Sequence, residues 1–333
     1  MSQTLKLHKN IKRVLFTGIS GFIGRHVARG LLDSDYQITA IVRPNTDPKR
    51  IQEFAKKVDI EKIDLSDIHS LESFLNKNQF DYILHIGALR GGRNFFKTDF
   101  YKVNVIATEQ LVIYALTQHS NFIFCSSVGV FGAIPKELPA TETTPRQEDN
   151  YYHYTKIEAE KIIHKFVQKG LKAAIVRPAI TYGIGDYGFP YMLMKLVDKK
   201  TMLLPKKRVM IHLTHVDTLS DAFYQLMNIA FKPGSTYIVA DRNPVELSKF
   251  VDFISWELSG KSYPRNRRIP AKFFDWSILL AHLLKNELWT SRFELISRSW
   301  YYDSRNIYHE LKLEPRDTIP AFKVAIDWYK ELR

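Results

Sequence analysis

At 333 residues, 45% of them apolar and 25% charged, the chain is long enough for one large α/β unit with a smaller lobe, and its mixture is that of a soluble globular protein rather than a disordered or fibrous one. Its single cysteine, Cys125, excludes a disulfide framework. The 48 basic and 35 acidic residues leave a net charge of +13. The basic residues are scattered, however, and the densest group (Lys195, Lys199, Lys200, Lys206, Lys207, Arg208) has no interleaved aromatics for bases to stack on, so no nucleic-acid partner is expected. Met1 to Lys6 has no apolar run of the kind a secretory signal needs, which makes a reducing cytoplasm the expected location. No uncharged stretch approaches the length of a spanning helix.

Short β-branched runs alternate with amphipathic stretches through the first two-thirds of the chain. Strands are predicted over residues 11–17, 37–42, 82–86, 121–126 and 172–177, with helices beginning near Phe22, Asp67, Thr98 and Tyr154. This rhythm predicts a doubly wound parallel Rossmann-type sheet covered on both faces. After about Thr181 it changes to helices over 216–230 and 244–258 with one late strand near 236–240, and all five tryptophans fall in the last third. The expected division is a dinucleotide-binding domain over 1–180 and a mainly substrate-binding lobe over 181–333, with the late strand returning to the sheet.

The first strand ends in Thr17-Gly18-Ile19-Ser20-Gly21-Phe22-Ile23-Gly24. Three glycines between a strand and a helix suit a pyrophosphate: Gly18 for the tight turn, Gly21 for close backbone approach, Gly24 for helix–strand packing, with the helix N-terminus attracting negative charge. Strand two ends in Val42-Arg43-Pro44, with Lys49 and Arg50 close behind and no acid before Asp47. A basic residue there accommodates a ribose 2′-phosphate, so NADP is expected ahead of NAD.

Ser126 and Ser127 close the strand that starts at Asn121, where strand ends face the ligand crevice. Tyr152 and Lys156 are four apart at a helix start and share a face; a nearby ammonium favours phenolate and brings the tyrosine toward a useful proton-transfer range. With these pieces in order the sequence resembles the extended short-chain dehydrogenase/reductases, also called the NAD-dependent epimerase/dehydratase superfamily, along nearly its whole length. Residues 17–24 look like T-G-x-x-G-F-x-G, so Phe22 and Ile23 join the glycines in the implied cofactor site. Asp64-Leu65 resembles the adenine-side pair after strand three, and residues 85–88 the H-x-A-A segment, with Gly87 for alanine before Ala88. Asn104 falls in a V-N-x-x-G-T-like stretch that has Ala107 for glycine, and residues 126–132 resemble S-S-x-x-V-Y-G with Phe131 for tyrosine. Pro178 lies in an R-P-x-x-x-Y-G-like segment, and residues 215–217 resemble H-V-D.

The resemblance implies Tyr152 as general acid/base, Ser127 polarising the reacting oxygen, Lys156 binding the nicotinamide ribose and lowering the tyrosine pKa, and Asn104 supporting the site. The aromatic and aliphatic residues after Arg268 are similar to those of the sterol-dehydrogenase-like branch. The expected activity is hydride transfer at a hydroxyl or ketone carbon of a small, apolar ring substrate. A nucleotide-sugar epimerase or reductase, with Lys206, Lys207 and Arg208 on the diphosphate, is the alternative, and a non-catalytic dinucleotide-binding sensor or assembly protein a third. A 4,6-dehydratase is excluded, because Val128-Gly129 stands where that activity needs an Asp-Glu pair. Other features read as structural: Cys125 as packing, His212 and His215 without further ligands for a metal, Asp217 as a helix cap, Glu142 as a loop residue. The stripe from Phe273 through Trp276 to Leu284 reads as a core-facing or lid helix, with peripheral membrane contact and a homodimer left open.

Overall fold

The computed structural model describes residues 11–90 and 95–333; the N-terminal residues read above for a signal lie outside them. Seven parallel strands form the central sheet: β1 (Lys12–Thr17), β2 (Tyr36–Val42), β3 (Val58–Lys62), β4 (Tyr82–His85), β5 (Asn121–Cys125), β6 (Ala173–Pro178) and a late strand at Ser235–Val239. Their spatial order runs from the late strand through β6, β5, β4, β1 and β2 to β3, so the order reverses between β1 and β4. In a sheet of this kind that is where the ligand crevice opens. Thr17 pairs with Ile41 on one side and His85 on the other, and Cys125 pairs with Val176. The turns after these strands therefore leave from one edge.

Alternate strand residues feed two cores. Val14 and Phe16 pack on one face with Val27, Ala28 and Leu31, while Leu15 and Ile83 pack on the other with Leu111, Ile163 and Phe166. Helices α1 (Phe22–Leu31), α2 (Ile68–Lys77), α3 (Lys97–Tyr101), α4 (Ala107–Thr117) and α5 (Tyr151–Val167) cover the sheet, and a π-helical turn over Lys102–Ile106 joins α3 to α4. Asp67 caps α2 through the Ser70 N–H, and Asn150 caps α5 through the His153 N–H. The Asn150 cap starts α5 at Tyr151 rather than near Tyr154, which puts Tyr152 in its first turn.

The lobe adds β7 (Ile180–Tyr182), α6 (Phe189–Asp198), β8 (Leu204–Pro205), β9 (Met210–Ile211), β10 (Leu213–His215) and α7 (Val216–Asn228); the late sheet strand is β11. Then follow β12 (Val245–Glu246), α8 (Leu247–Ser259), β13 (Arg268–Ile269), α9 (Ala271–Leu283), α10 (Glu287–Ser297), α11 (Arg305–Leu311) and α12 (Thr318–Glu331). A third core around Phe250, Tyr182, Trp300 and Phe322 holds the lobe together. The division at residue 180 is not a clean cut: Leu219 and Phe223 of α7 and Ile307 of α11 are buried in the Val14/Phe16 core. Asp217 is not the cap of α7; the His215 ring accepts the Asp217 N–H and takes that role, because Asp217 already lies in the helix's first turn.

Candidate functional site

The glycine turn is close-packed. Gly18 has φ +86°, and a Cβ there would meet the Gly87 nitrogen at 2.6 Å; a Cβ on Gly24 would lie 2.0 Å from the Gly18 carbonyl oxygen. Only glycine fits either position. The N-cap residue of α1, Gly21, has no side chain to cap the helix, so its first N–H groups point toward the crevice unsatisfied by side chains. Beneath the turn runs a buried polar chain that sequence reasoning missed. The Gly87 N–H donates to Thr17 Oγ1, which is bonded to His85 Nδ1 at 2.7 Å, while His85 Nε2 meets Thr108 Oγ1 at 2.9 Å and Thr108 donates to the Asn104 carbonyl. Burial holds the His85 pKa down at about 3, so the ring is neutral and passes one hydrogen bond in each direction.

Ser126 and Ser127 separate by role. Ser126 Oγ donates to Glu160 Oε1 at 2.6 Å and is fully used inside the protein. Ser127 Oγ only accepts, from the Gly129 N–H at 3.0 Å, leaving its own proton free for an oxygen in the crevice. Lys156 is buried, and its Nζ donates to the Cys125 carbonyl at 2.8 Å while lying 4.5 Å from the centre of the Phe124 ring. Desolvation lowers its pKa to about 8. Tyr152 does not have the depressed pKa expected from its neighbour: burial pushes the phenol up to about 12, and the opposing charge it feels most is Arg90. Desolvation outweighs Arg90, and the Lys156 ammonium is directed at the Cys125 carbonyl instead. Arg90, five residues after the end of β4, carried no sequence signal beyond its charge.

Asn104 sits in the π-helical turn, its side chain accepting from the Leu89 N–H and donating to the Leu89 carbonyl and Thr155 Oγ1. It braces the loop after β4 against α5 and acts on the site through position. Glu160 of α5, also unforeseen, accepts from Arg177 Nε and Nη2, from Arg146 Nε and from Ser126. This buried cluster ties α5 to β6 and to the serine pair.

The remaining predicted cofactor residues line the same edge. Arg43 follows β2 and forms no ion pair among the described residues, while Thr46 Oγ1 in the same turn is buried without a hydrogen-bond partner. Asp47 is engaged locally, accepting from the Lys49 N–H. Asp64 Oδ1 accepts from both the amide and the hydroxyl of Ser66, which fixes the turn after β3, with Leu65 buried beside it. Ala88 is half-buried beyond Gly87, and Pro178 ends β6. A glycine cradle, open helix N–H groups, a free arginine and an orphaned hydroxyl together fit a nicotinamide dinucleotide.

Elsewhere, Cys125 is buried with its thiol pushed up to about 11 by desolvation, and His212 bonds the Asp241 carbonyl and the Tyr302 N–H. The stripe on α9 is not simply core-facing. Phe274, Ile278 and Ala281 are buried, but Phe273, Trp276, Leu279, Leu280 and Leu283 are exposed.

Fold and site together define an α/β protein of the Rossmann type, with a close-packed glycine turn at the crevice edge and Ser127 and Lys156 at the end of β5. The family model described as the NAD dependent epimerase/dehydratase family matches residues 14–240, and the chain belongs to that family. It is 33% identical over 168 residues to a UDP-glucose 4-epimerase of Caenorhabditis elegans, covering 45% of this chain and 48% of that protein. It is 29% identical over 213 residues to a GDP-6-deoxy-D-talose 4-dehydrogenase of Aggregatibacter actinomycetemcomitans, covering 63% and 65%. The chain thus spans about half the length of most of the curated relatives it matches. Among solved structures, one described as gox2253 aligns with a TM-score of 0.79 at 24% identity, over 96% of this chain and 98% of that one. A UDP-glucuronic acid 4-epimerase from Bacillus cereus in complex with NAD aligns at 0.75 and 18%, over 96% and 99%. At these identities the structural likeness speaks for the fold alone. No helix among the described residues is long and apolar enough to cross a membrane.

Proposed function

We propose that the protein is an NAD(P)-dependent oxidoreductase or epimerase that exchanges a hydride at a hydroxyl-bearing carbon, and that its substrate is a nucleotide-linked sugar. Three groups near the end of β5 support the chemistry: the Ser127 hydroxyl with an uncommitted proton, the buried Lys156 bonded to the Cys125 carbonyl, and the Tyr152 phenol, which lies one helical turn before Lys156 and within electrostatic reach of Cys125. A bound nicotinamide dinucleotide supplies the hydride exchange. Ser127 donates a hydrogen bond to the reacting oxygen and fixes its position. Tyr152, protonated with a pKa near 12, is poised to give its proton to that oxygen in the reducing direction and to recover it in the other. Arg90 is the positive charge that Tyr152 feels most, and the buried Lys156 is held at the Cys125 carbonyl one helical turn on.

The substrate class draws support from relatives described as acting at position 4 of nucleotide-linked hexoses, and from exposed Lys206, Lys207 and Arg208 beside β8 as partners for a diphosphate. An apolar ring alcohol or ketone is the second reading. It is favoured by the apolar helices of the lobe, which approach the site: Glu294 of α10 feels the charge of Asp149, three residues before Tyr152.

The test is turnover with UDP- and GDP-sugars beside sterol-like ketones and alcohols, each with NAD and NADP in both oxidation states. A selective response to a nucleotide sugar, weakened by Arg208→Ala, is expected, whereas response to the apolar compounds alone overturns the substrate class. Tyr152→Phe is expected to lose about 10²–10⁴-fold in turnover while still binding dinucleotide. Unchanged turnover in that variant rejects the assignment of the proton donor.

A further inference from the structure

We propose that the α9–α10 hairpin docks the protein on an anionic lipid surface. Helix α9 is apolar on two opposite sides. One side, with Phe274, Ile278 and Ala281, is buried in the lobe. At 100° per residue Phe273, Trp276, Leu280 and Leu283 fall together on the other, where Trp276 is 71% and Leu283 70% exposed. Leu284 just beyond the helix and Trp289 on α10 are exposed on the same hairpin. A helix apolar all round is normally enclosed on every side; here the outer side has no cover from the described chain. Scattered exposed leucines need no explanation, but two tryptophans, a phenylalanine and a run of leucines on one hairpin form a patch that marks a contact surface.

The charges around the patch identify the partner. Residues 261–300 carry eight lysines and arginines against three acids, Asp275, Glu287 and Glu294. Arg268 and Arg298 are held in ion pairs with Asp252 and Glu294, but Lys272 and Lys285, at the two ends of α9, have no ion-pair partner among the described residues. Arg292 lies over the Trp289 ring, a cation and an indole stacked at the edge of the patch. Tryptophan favours the headgroup level of a bilayer, leucine and phenylalanine the acyl boundary, and lysine and arginine the phosphates. A second copy of the chain is a poor occupant, since it would set one cationic rim against another on molecules that each carry a net +13. At 13 residues α9 is too short to span, so it lies in the interface plane.

The full chain is tested by co-sedimentation with vesicles of phosphatidylcholine alone and of phosphatidylcholine with phosphatidylserine. Binding to the mixed vesicles that weakens with salt is expected. In the double variant Trp276→Ser/Leu283→Ser it is expected to fall at least about tenfold with thermal unfolding unchanged, because both side chains are exposed in the free protein. Lys272→Glu/Lys285→Glu is expected to remove the preference for the anionic vesicles. The proposal is overturned if neither vesicle binds, if the serine variant binds as well as the parent, or if sedimentation equilibrium shows a dimer that the serine variant dissolves.

Discussion

The Lys156 ammonium donates to the carbonyl oxygen of Cys125 across 2.8 Å, and that one bond fastens the first turns of α5 to the carboxyl end of β5. Two residues after Cys125 comes Ser127, and one turn before Lys156 comes Tyr152, so the same contact sets the spacing of the candidate catalytic hydroxyls. The lysine is desolvated for this position, which draws its pKa down to about 8. A buried ammonium that serves as a structural tie leaves a signature in the pH dependence of stability.

Between pH 8 and the ordinary lysine value the unfolded chain binds the proton that folded Lys156 has released. The unfolded state then holds more protons, so stability rises with pH through that window, and the desolvation penalty is complete only below about pH 8. Relative to Lys156→Met, the parent is therefore expected to gain on the order of 3 kcal/mol as pH climbs through that window. Chemical denaturation of both proteins along a pH series measures it. A difference that stays flat would mean the ammonium is solvated.

His85 provides the acid-side counterpart. Its folded pKa near 3 lies below the ordinary imidazole value, so on acidification the unfolded chain takes up a proton that the folded ring refuses. Stability contributed by the neutral ring is lost as pH falls below about 6.5, and the loss reaches roughly 3 kcal/mol near pH 4. His85→Gln is expected to be less stable at neutral pH but to lack this component, so the two acid-unfolding curves converge. Parallel curves would show that His85 is protonated in the folded protein.

What could be read from the sequence was whatever depends on near neighbours. The turn Gly18 to Gly24 announces itself because the backbone geometry admits no side chain at two of its positions, and Tyr152 and Lys156 because a helix brings residues four apart together. β3 escaped strand prediction from its own residues because Asp59, Glu61 and Lys62 fill three of the five positions of a short edge strand that solvent reaches. The Thr17–His85–Thr108 chain and the Glu160–Arg177 pair link residues far apart in sequence, and nothing in local periodicity ties one member to another. For α9 the apolar count was legible, but which residues remain uncovered depends on how the lobe closes around Phe274 and Ile278.

The Glu160 cluster offers a stability test that separates charge from shape. Burial alone would raise this carboxyl's pKa, yet Arg177, Arg146 and Ser126 together hold it below the ordinary value, so it is ionised in the core. Glu160→Leu strands the Arg177 guanidinium and is expected to cost about 3–5 kcal/mol in urea unfolding. Glu160→Leu/Arg177→Met removes both charges and should restore much of that loss. If the double variant is no better than the single one, the cluster is held by packing rather than by charge pairing.

The choice of cofactor rests on the turn after β2. An acidic residue at that point would hold the ribose 2′-hydroxyl; here, among the described residues, Arg43 has no ion-pair partner and the buried Thr46 hydroxyl no hydrogen bond, and the first acid, Asp47, is occupied by the Lys49 N–H. A 2′-phosphate would give the arginine a charge-assisted partner, whereas a bare ribose would leave it facing water. Hydrogen bonds to a charged group contribute roughly 1.5–3 kcal/mol, so NADPH is expected to bind about tenfold or more tightly than NADH. Arg43→Ala should bring the two close to parity by weakening NADPH and leaving NADH almost unchanged, since the glycine cradle proposed for the pyrophosphate is untouched. Isothermal titration of both nucleotides into both proteins decides it. Equal affinities in the parent, or a preference for NADPH that survives Arg43→Ala, would move 2′-recognition away from this residue and return the chain to the NAD use described for the Bacillus cereus epimerase structure.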